Sequence, residues 1–216
     1  MTEITYRPYR PEDADDIKQI INEAFYIHRY VKGRLVLDSA LELYLRERLL
    51  ASTWTRVAVK DGHVVGVIMG QVHGQPKLPG RFANRLLTFW HMLRAGILSL
   101  PQWSSMRQYF PFDGVYRTLR ARTKEPLTDE LTLFAVSSTT RGHGVGKALY
   151  GSFVEHLRSH GRSDFYLYTD SLCTYQFYEK RGMTRAAEKD MNLVLDGTPE
   201  TLGVYLYTGT APEPQA

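Results

Sequence analysis

Ser137-Ser138-Thr139-Thr140-Arg141-Gly142-His143-Gly144-Val145-Gly146-Lys147 joins a short apolar run, Leu131 to Val136, to an amphipathic run, Val145 to His160. The first run reads as a strand. The second reads as a helix, because Val145, Ala148, Leu149, Phe153 and Leu157 recur on one face and Gly161 closes it. A strand, a glycine-rich loop and a helix in that order form an anion site: glycines let backbone NH groups approach the ligand, and the helix start adds the positive end of its dipole. The loop is predicted to cradle a pyrophosphate. It is not a Walker loop, because Lys147 is followed by Ala148 where a magnesium-binding Ser or Thr would stand. Glycines at 142, 144 and 146 also fail the G-x-G-x-x-G dinucleotide pattern.

Upstream of the loop, Ile4 to Tyr9 alternates as a strand, and Pro11 opens a helix with Glu12 and Asp13 in its first turn. Ile17, Ile20, Ile21, Ala24 and Phe25 form the buried stripe of that helix. Ser39-Ala40-Leu41-Glu42 reads as a capping box that opens a second helix. Thr55 to Val59 and Val64 to Val72 are strands joined by Lys60-Asp61-Gly62-His63, a hairpin turn in which Asp-Gly accepts positive φ. Residues 75–128 break the strand rhythm with helical stretches at Phe82 to Leu100 and Trp103 to Phe110, so they read as a helical insertion. Downstream come a strand at Phe165 to Thr169, a helix at Thr174 to Arg181 stopped by Gly182, and strands at Met191 to Leu195 and Gly203 to Tyr207.

Composition bounds the function. The chain has 216 residues, 43% hydrophobic and 23% charged, which suits one globular domain and argues against a disordered or fibrous protein. Cys173 is the single cysteine, so no intrachain disulfide is possible, and no Cys/His spacing resembles a metal site. The first residues lack a basic segment followed by an apolar run, so no secretory signal is predicted and a cytoplasmic location is expected. Leu86 to Leu100 carries His91 and Arg94 and falls short of the roughly 20 apolar residues that a membrane span needs.

The net charge of +4 is unevenly placed. The insertion holds nine basic residues, Lys77, Arg81, Arg85, Arg94, Arg107, Arg117, Arg120, Arg122 and Lys124, against Asp113 and Glu125. It is expected to border the acceptor or cofactor entrance, and so to favour an anionic acceptor or screen phosphates. Its Phe, Trp and Arg read as ordinary amphipathic helix, and neither nucleic acid nor membrane is an expected partner.

Arg141, Gly144 and Gly146 match the Arg/Gln-x-x-Gly-x-Gly/Ala loop of the GCN5-related N-acetyltransferase (GNAT) superfamily, which the chain resembles. A second segment supports this: Phe177-Tyr178-Glu179-Lys180-Arg181-Gly182-Met183 stands where members carry Phe-Tyr-Glu-Lys-x-Gly-Phe. The resemblance implies an α/β GNAT fold, a mixed, mostly antiparallel twisted sheet of about seven strands flanked by helices, with the insertion between the third and fourth strands. It implies one N-acetyltransferase domain over residues 1–210, with residues 211–216 a loose tail. Acetyl-CoA is the implied co-substrate, with no metal. It would be held by Arg141, Gly142, His143, Gly144, Val145, Gly146 and Lys147, with Ser171 where many members carry a cofactor-facing Asn.

The implied reaction moves an acetyl group directly to a primary amine of a small-molecule or peptide acceptor. At pH 7 a lysine-like amine is protonated, and exposing its lone pair costs about 4.6 kcal/mol, so a base is useful. Glu130, at the head of the central strand, resembles the catalytic glutamate of histone-acetylating members, with Asp129 as the neighbouring alternative. Tyr178 matches the family tyrosine that assists the departing thiolate, while Phe177 reads as packing. A backbone NH around Phe134, Ala135 and Val136 would polarise the thioester carbonyl at a splay between strands. Cys173 shows no pairing that would make it a nucleophile, and His143 reads as a spacer in the loop. Trp54, Trp90 and Trp103 read as packing, with Trp90 or Trp103 the alternative lining of an acceptor pocket. The competing reading is a catalytically degenerate acetyl-CoA-binding sensor or scaffold. Many relatives dimerise, and a homodimer is neither supported nor excluded by the sequence.

Overall fold

Alternation along the two strands of the Asp61-Gly62 hairpin sorts their side chains between two cores. In the computed structural model, which describes residues 3–98, 111–140 and 142–211, Val57 and Val59 face one layer and Ala58 the other. On the partner strand Val67 and Met69 likewise oppose Ile68. Both faces of the sheet must therefore be covered. Helices α1 (Ala14–Phe25) and α2 (Arg34–Ala51) cover one, placing Ile17, Ile21 and Leu45 against Val57, Val67 and Met69. The helix after the glycine loop covers the other with Leu149, Phe153 and Leu157. Each such fully buried side chain contributes about 1.5–3 kcal/mol.

The sheet has seven strands: β1 (Thr5–Arg7), β2 (Trp54–Lys60), β3 (His63–Gln71), β4 (Glu130–Val136), β5 (Asp164–Asp170), β6 (Thr184–Leu195) and β7 (Thr198–Thr210). Their spatial order is β1-β2-β3-β4-β5-β7-β6, and every neighbouring pair is antiparallel except β4 with β5. Two described helices lie between β3 and β4, α3 (Arg81–Leu98) and α4 (Pro111–Arg122). They are followed along the chain by α5 (Val145–Ser159) and the single turn α6 (Gln176–Glu179). Val115 and Leu119 of α4 pack with Tyr166, Leu193 and Leu206 on the β5-β7-β6 half. The α5 helix approaches β3 so closely that a Cβ on Gly70 would overlap the Phe153 ring.

Several expectations change. Helix α2 starts at Arg34, after Gly33 with φ +88°, and not at Ser39, whose hydroxyl donates back to the Leu35 carbonyl at 3.1 Å. Glu42 is not a cap because it binds Lys18 at 3.0 Å and Arg46 at 3.0 Å. The last two strands are longer than Met191 to Leu195 and Gly203 to Tyr207. Asp196 and Gly197, with φ of 52° and 83°, turn a hairpin that pairs from Leu195 with Thr198 out to Thr184 with Thr208. The expected helix Thr174 to Arg181 is helical over Gln176–Glu179. The stretch Trp103 to Phe110 lies outside the described residues, as do tail positions 212–216; Ala211 is buried, its NH donating to the Ser163 carbonyl at 2.8 Å.

Candidate active site

Strands β4 and β5 share one rung, Glu130 opposite Tyr166, anchored by the Tyr166 NH on the Asp129 carbonyl at 2.9 Å. Beyond that rung the strands part, and β4 is left with one edge unpaired by β5. The Ser137 NH donates across to the Val65 carbonyl of β3 at 3.0 Å. Because backbone groups alternate sides along a strand, the NH groups of Phe134 and Val136 face the opening, whereas that of Ala135 faces β3. Ala135 therefore lines the space but is not a candidate amide donor. A bulge adds Thr132 to β4, since Leu133 pairs with Met69 and Leu131 with Gly70. The Thr132 hydroxyl is joined to that of Ser52 at 2.7 Å.

The splay opens a cavity of about 350 Å³. One end is the glycine loop, where Thr140, Gly142, Gly144, Val145, Gly146 and Lys147 form the wall. Gly142 and Gly144 have φ of 81° and 78°, a left-handed backbone that disfavours other side chains, and Gly144 immediately precedes α5. Glu23 of α1 holds the entry to the loop by accepting the Ser138 NH at 2.8 Å. Gly146 has space to spare: an added Cβ would meet Phe134, Val136 and Phe177 at 3.6–3.8 Å, ordinary contact distances. Its bareness is not required by packing, so it keeps backbone open to the cavity. A glycine wall, unpaired NH groups in the first turn of a helix, and the Lys147 cation make a donor set that fits the pyrophosphate of CoA. His143 and Ser171 are not among the cavity walls. The Ser171 hydroxyl instead accepts the Gly203 NH of β7 at 3.2 Å, so its oxygen is engaged within the sheet and not on the cavity wall. Arg141 lies outside the described residues.

The other end is formed by Tyr44, Arg48, Tyr116, Glu130 and Tyr168. Glu130 Oε2 accepts the Tyr166 hydroxyl at 2.9 Å, and that hydroxyl is gripped in turn by Arg120 of α4. Arg120 also donates to the Tyr168 hydroxyl at 2.9 Å. Burial, reinforced by the Glu130 charge, pushes the Tyr166 phenol up, so it stays a donor that orients the carboxylate. Asp129, immediately before the strand, points away into buried surroundings. Its oxygens accept the His73 NH at 2.6 Å and Arg162 Nε at 2.7 Å, so Asp129 is structural and Glu130 is the carboxylate facing the cavity.

Between the two ends lie Phe134, Cys173, Phe177 and Tyr178. Phe177 packs on Phe134 and Tyr150 at ring separations of 5.1 and 5.6 Å. Tyr178 is buried, and burial pushes its phenol well above its ordinary value, so it remains protonated. Burial and then Asp170 likewise push the Cys173 thiol up, which leaves no thiolate for covalent catalysis. Trp54 stacks on His156 at 4.9 Å, outside this cavity. Trp90 is 58% exposed and borders a shallow hollow with Leu93 and Ile97, so it neither packs inward nor lines this cavity. Trp103 is outside the described residues.

Of residues 75–128, the described part that lines the cavity is Tyr116, a phenol and not a cation. Five of the nine basic residues are engaged elsewhere: Lys77 on the Ala51 carbonyl, Arg81 on the Leu50 carbonyl, Arg94 on Asp38, Arg120 on the two tyrosines and Arg122 on the Glu188 carbonyl. The cation that shares the cavity wall with Glu130 is Arg48 of α2, which sequence reasoning missed. It sits in the last turn of a helix whose amphipathic pattern marks it merely as polar. Among the described residues no group of three or more His, Cys, Asp or Glu is placed to hold a metal ion, and no helix is long and apolar enough to cross a membrane.

The fold recurs in solved structures. An acetyltransferase of the GNAT family from Desulfovibrio desulfuricans matches with a TM-score of 0.53 at 16% identity, covering 97% of this chain and 100% of the other. The ribosomal-protein-S18-alanine N-acetyltransferase from Escherichia coli gives 0.55 at 11% identity, covering 99% and 97%. An aminoglycoside 6'-N-acetyltransferase complexed with coenzyme A gives 0.53 at 15%, covering 98% and 99%. No protein-family model matches the sequence, and no curated protein does. The likeness is one of architecture: the chain has the GNAT fold.

Proposed function

We propose, proceeding from the GNAT fold, that this protein is an acetyl-CoA-dependent N-acetyltransferase that transfers the acetyl group directly to a primary amine. On this reading residues 1–210 are one catalytic domain that carries 75–128 as an insertion. The observation that carries the proposal is the single rung between β4 and β5. It opens one continuous cavity from the glycine loop to Glu130, with strand amides and Tyr178 between them.

The chemistry follows from what each group can do. The loop and Lys147 would hold the pyrophosphate of acetyl-CoA, which supplies the activated thioester. The amides of Phe134 and Val136 are the candidates for stabilising negative charge on the carbonyl oxygen during attack; such donors are worth about 2.7–4 kcal/mol each in acyl transfer. Glu130, directly or through water, takes a proton from the acceptor ammonium and frees its lone pair. The amine nitrogen then bonds to the carbonyl carbon, the carbon–sulfur bond breaks, and the thiolate leaves with the electron pair. Tyr178, held protonated, donates a hydrogen bond to that thiolate. An ordinary thiol has a pKa of about 8.5 against about 10 for a phenol, so donation without complete proton transfer suffices.

The test is thiol release from acetyl-CoA across a panel of amines, with wild-type protein and Glu130→Gln. Wild type should release thiol with some amine, and the variant should be slower by about 100-fold near pH 7. The gap should narrow as pH rises toward the amine pKa, where the acceptor loses its proton unaided. A gap that stays constant with pH removes Glu130 as the base, and no release with any amine removes the transferase reading.

A further inference from the structure

The acceptor end carries one charged group that the transfer chemistry leaves unused. Arg48 reaches the cavity from the last turn of α2, with its guanidinium 5.1 Å from the centre of the Tyr44 ring. Its Nε is buried and has no hydrogen-bond partner among the described residues. Buried, unpartnered side-chain atoms also occur on Tyr9, Arg56, His91 and Arg158, but none of those residues lines the cavity. Arg48 makes no ion pair among the described residues: Glu130 acts on it only through space, and that carboxylate is already oriented by Tyr166. A buried guanidinium donor without an acceptor costs about 1–3 kcal/mol or more, a cost removed when an anion arrives.

The surroundings specify which anion. Tyr44 and Tyr116 share the cavity wall with Arg48, and burial keeps both phenols neutral, Tyr116 being pushed up to about 12. They add donors without adding charge. The guanidinium fork matches a carboxylate with two parallel hydrogen bonds. Glu130, on the same wall, repels a second anion and attracts a cation. The cavity end is thus polarised, positive at Arg48 and negative at Glu130, and neither charge is in an ion pair among the described residues.

We infer that the acceptor is a small zwitterion of the amino-acid class, its ammonium presented to Glu130 and its carboxylate bound by Arg48. This rests on the transferase reading above and narrows it. It also relocates the anion preference expected from the charge of residues 75–128 to a residue on α2. A lysine within a protein chain has its α-carboxylate converted to an amide, so it lacks the group that Arg48 takes.

The experiment compares thiol release from acetyl-CoA with free amino acids and with their matched carboxamides, each at saturating acetyl-CoA. Wild type should prefer the carboxylate member by about 10- to 100-fold in kcat/KM, mainly through KM, as expected for one charge-assisted contact. Arg48→Met should reduce that preference to within about threefold, and Arg48→Lys should keep part of it. Circular dichroism and melting of each variant establish that it is folded. Amines acetylated without preference for the carboxylate member overturn this inference alone. Equal loss on both members in Arg48→Met and Arg48→Lys also overturns it, since that is the signature of a structural residue. Acetylation of neither series overturns this inference, and the transferase reading falls with it only where the wider amine panel also releases no thiol.

Discussion

Glu130 and Asp129 are adjacent acids with opposite fates, and the difference comes from strand geometry. Successive side chains leave a strand on opposite faces, so one meets Arg162 and the His73 amide while the other meets the cavity. The sequence identified both as candidates but not the choice, because the partners that engage Asp129 are 33 and 56 positions away. Tyr178 and Phe177 were separable from sequence through the resemblance, and both side chains belong to the cavity wall. Tyr178→Phe should lower kcat by about 100-fold while changing KM for acetyl-CoA by less than about twofold. Steady-state kinetics read both at once, and a variant of wild-type kcat removes Tyr178 from the chemistry. Arg48 was invisible at this scale, since a lone arginine on an amphipathic helix carries no pattern.

At the level of elements, the glycine loop was the most legible feature, because positive φ at Gly142 and Gly144 and the helix that follows are local properties. Gly146 separates packing from binding. Gly146→Ala places its Cβ at ordinary contact distance and removes a helix glycine, so it should raise stability by up to about 1 kcal/mol. Gly146→Val adds methyl groups that reach toward the cavity, and it should weaken acetyl-CoA binding at least about tenfold while the fold persists. Calorimetric titration and thermal melting check the pair; if Val binds as tightly as Gly, the loop backbone does not contact the cofactor at this point. The helix α2 start was misjudged because Ser39-x-x-Glu42 is a capping box in spelling only: Glu42 is held by Lys18 and Arg46. The bulge at Thr132 had no sequence signal, since it arises from how β3 and β4 fit together.

Across the whole molecule, stability is tied to pH through the contact between β2 and α5. His156 stacks on Trp54, and burial, then His160 and Arg56, pull its pKa down from 6.5 to about 4. The folded state therefore favours neutral imidazole. Its contribution is complete above pH 6.5 and is lost as pH falls from 6.5 toward 4, where the unfolded chain takes a proton that the native one refuses. Partial solvent exposure reduces the size of the effect. Melting temperature followed over that range should fall more steeply for wild type than for His156→Gln, and parallel curves would remove His156 as the source.

The order of elements, the hairpin at Asp61-Gly62, the glycine loop and the Phe177 to Met183 segment were set by the sequence alone, because turn chemistry and amphipathic period are written in neighbouring residues. The cavity was not. It exists because β4 and β5 meet at one rung and then diverge, because α4 brings Arg120 to the Tyr166 hydroxyl that orients Glu130, and because α2 brings Arg48 to the same wall. Those juxtapositions join residues between 36 and 46 positions apart through Tyr166 alone. Charge followed the same division: residue counts located an excess of cations in 75–128, but only packing decided that five of them serve the fold and that, among the described residues, the arginine on the cavity wall comes from α2. Local propensity chooses elements; which side chains share a low-dielectric space is a property of how those elements close on one another.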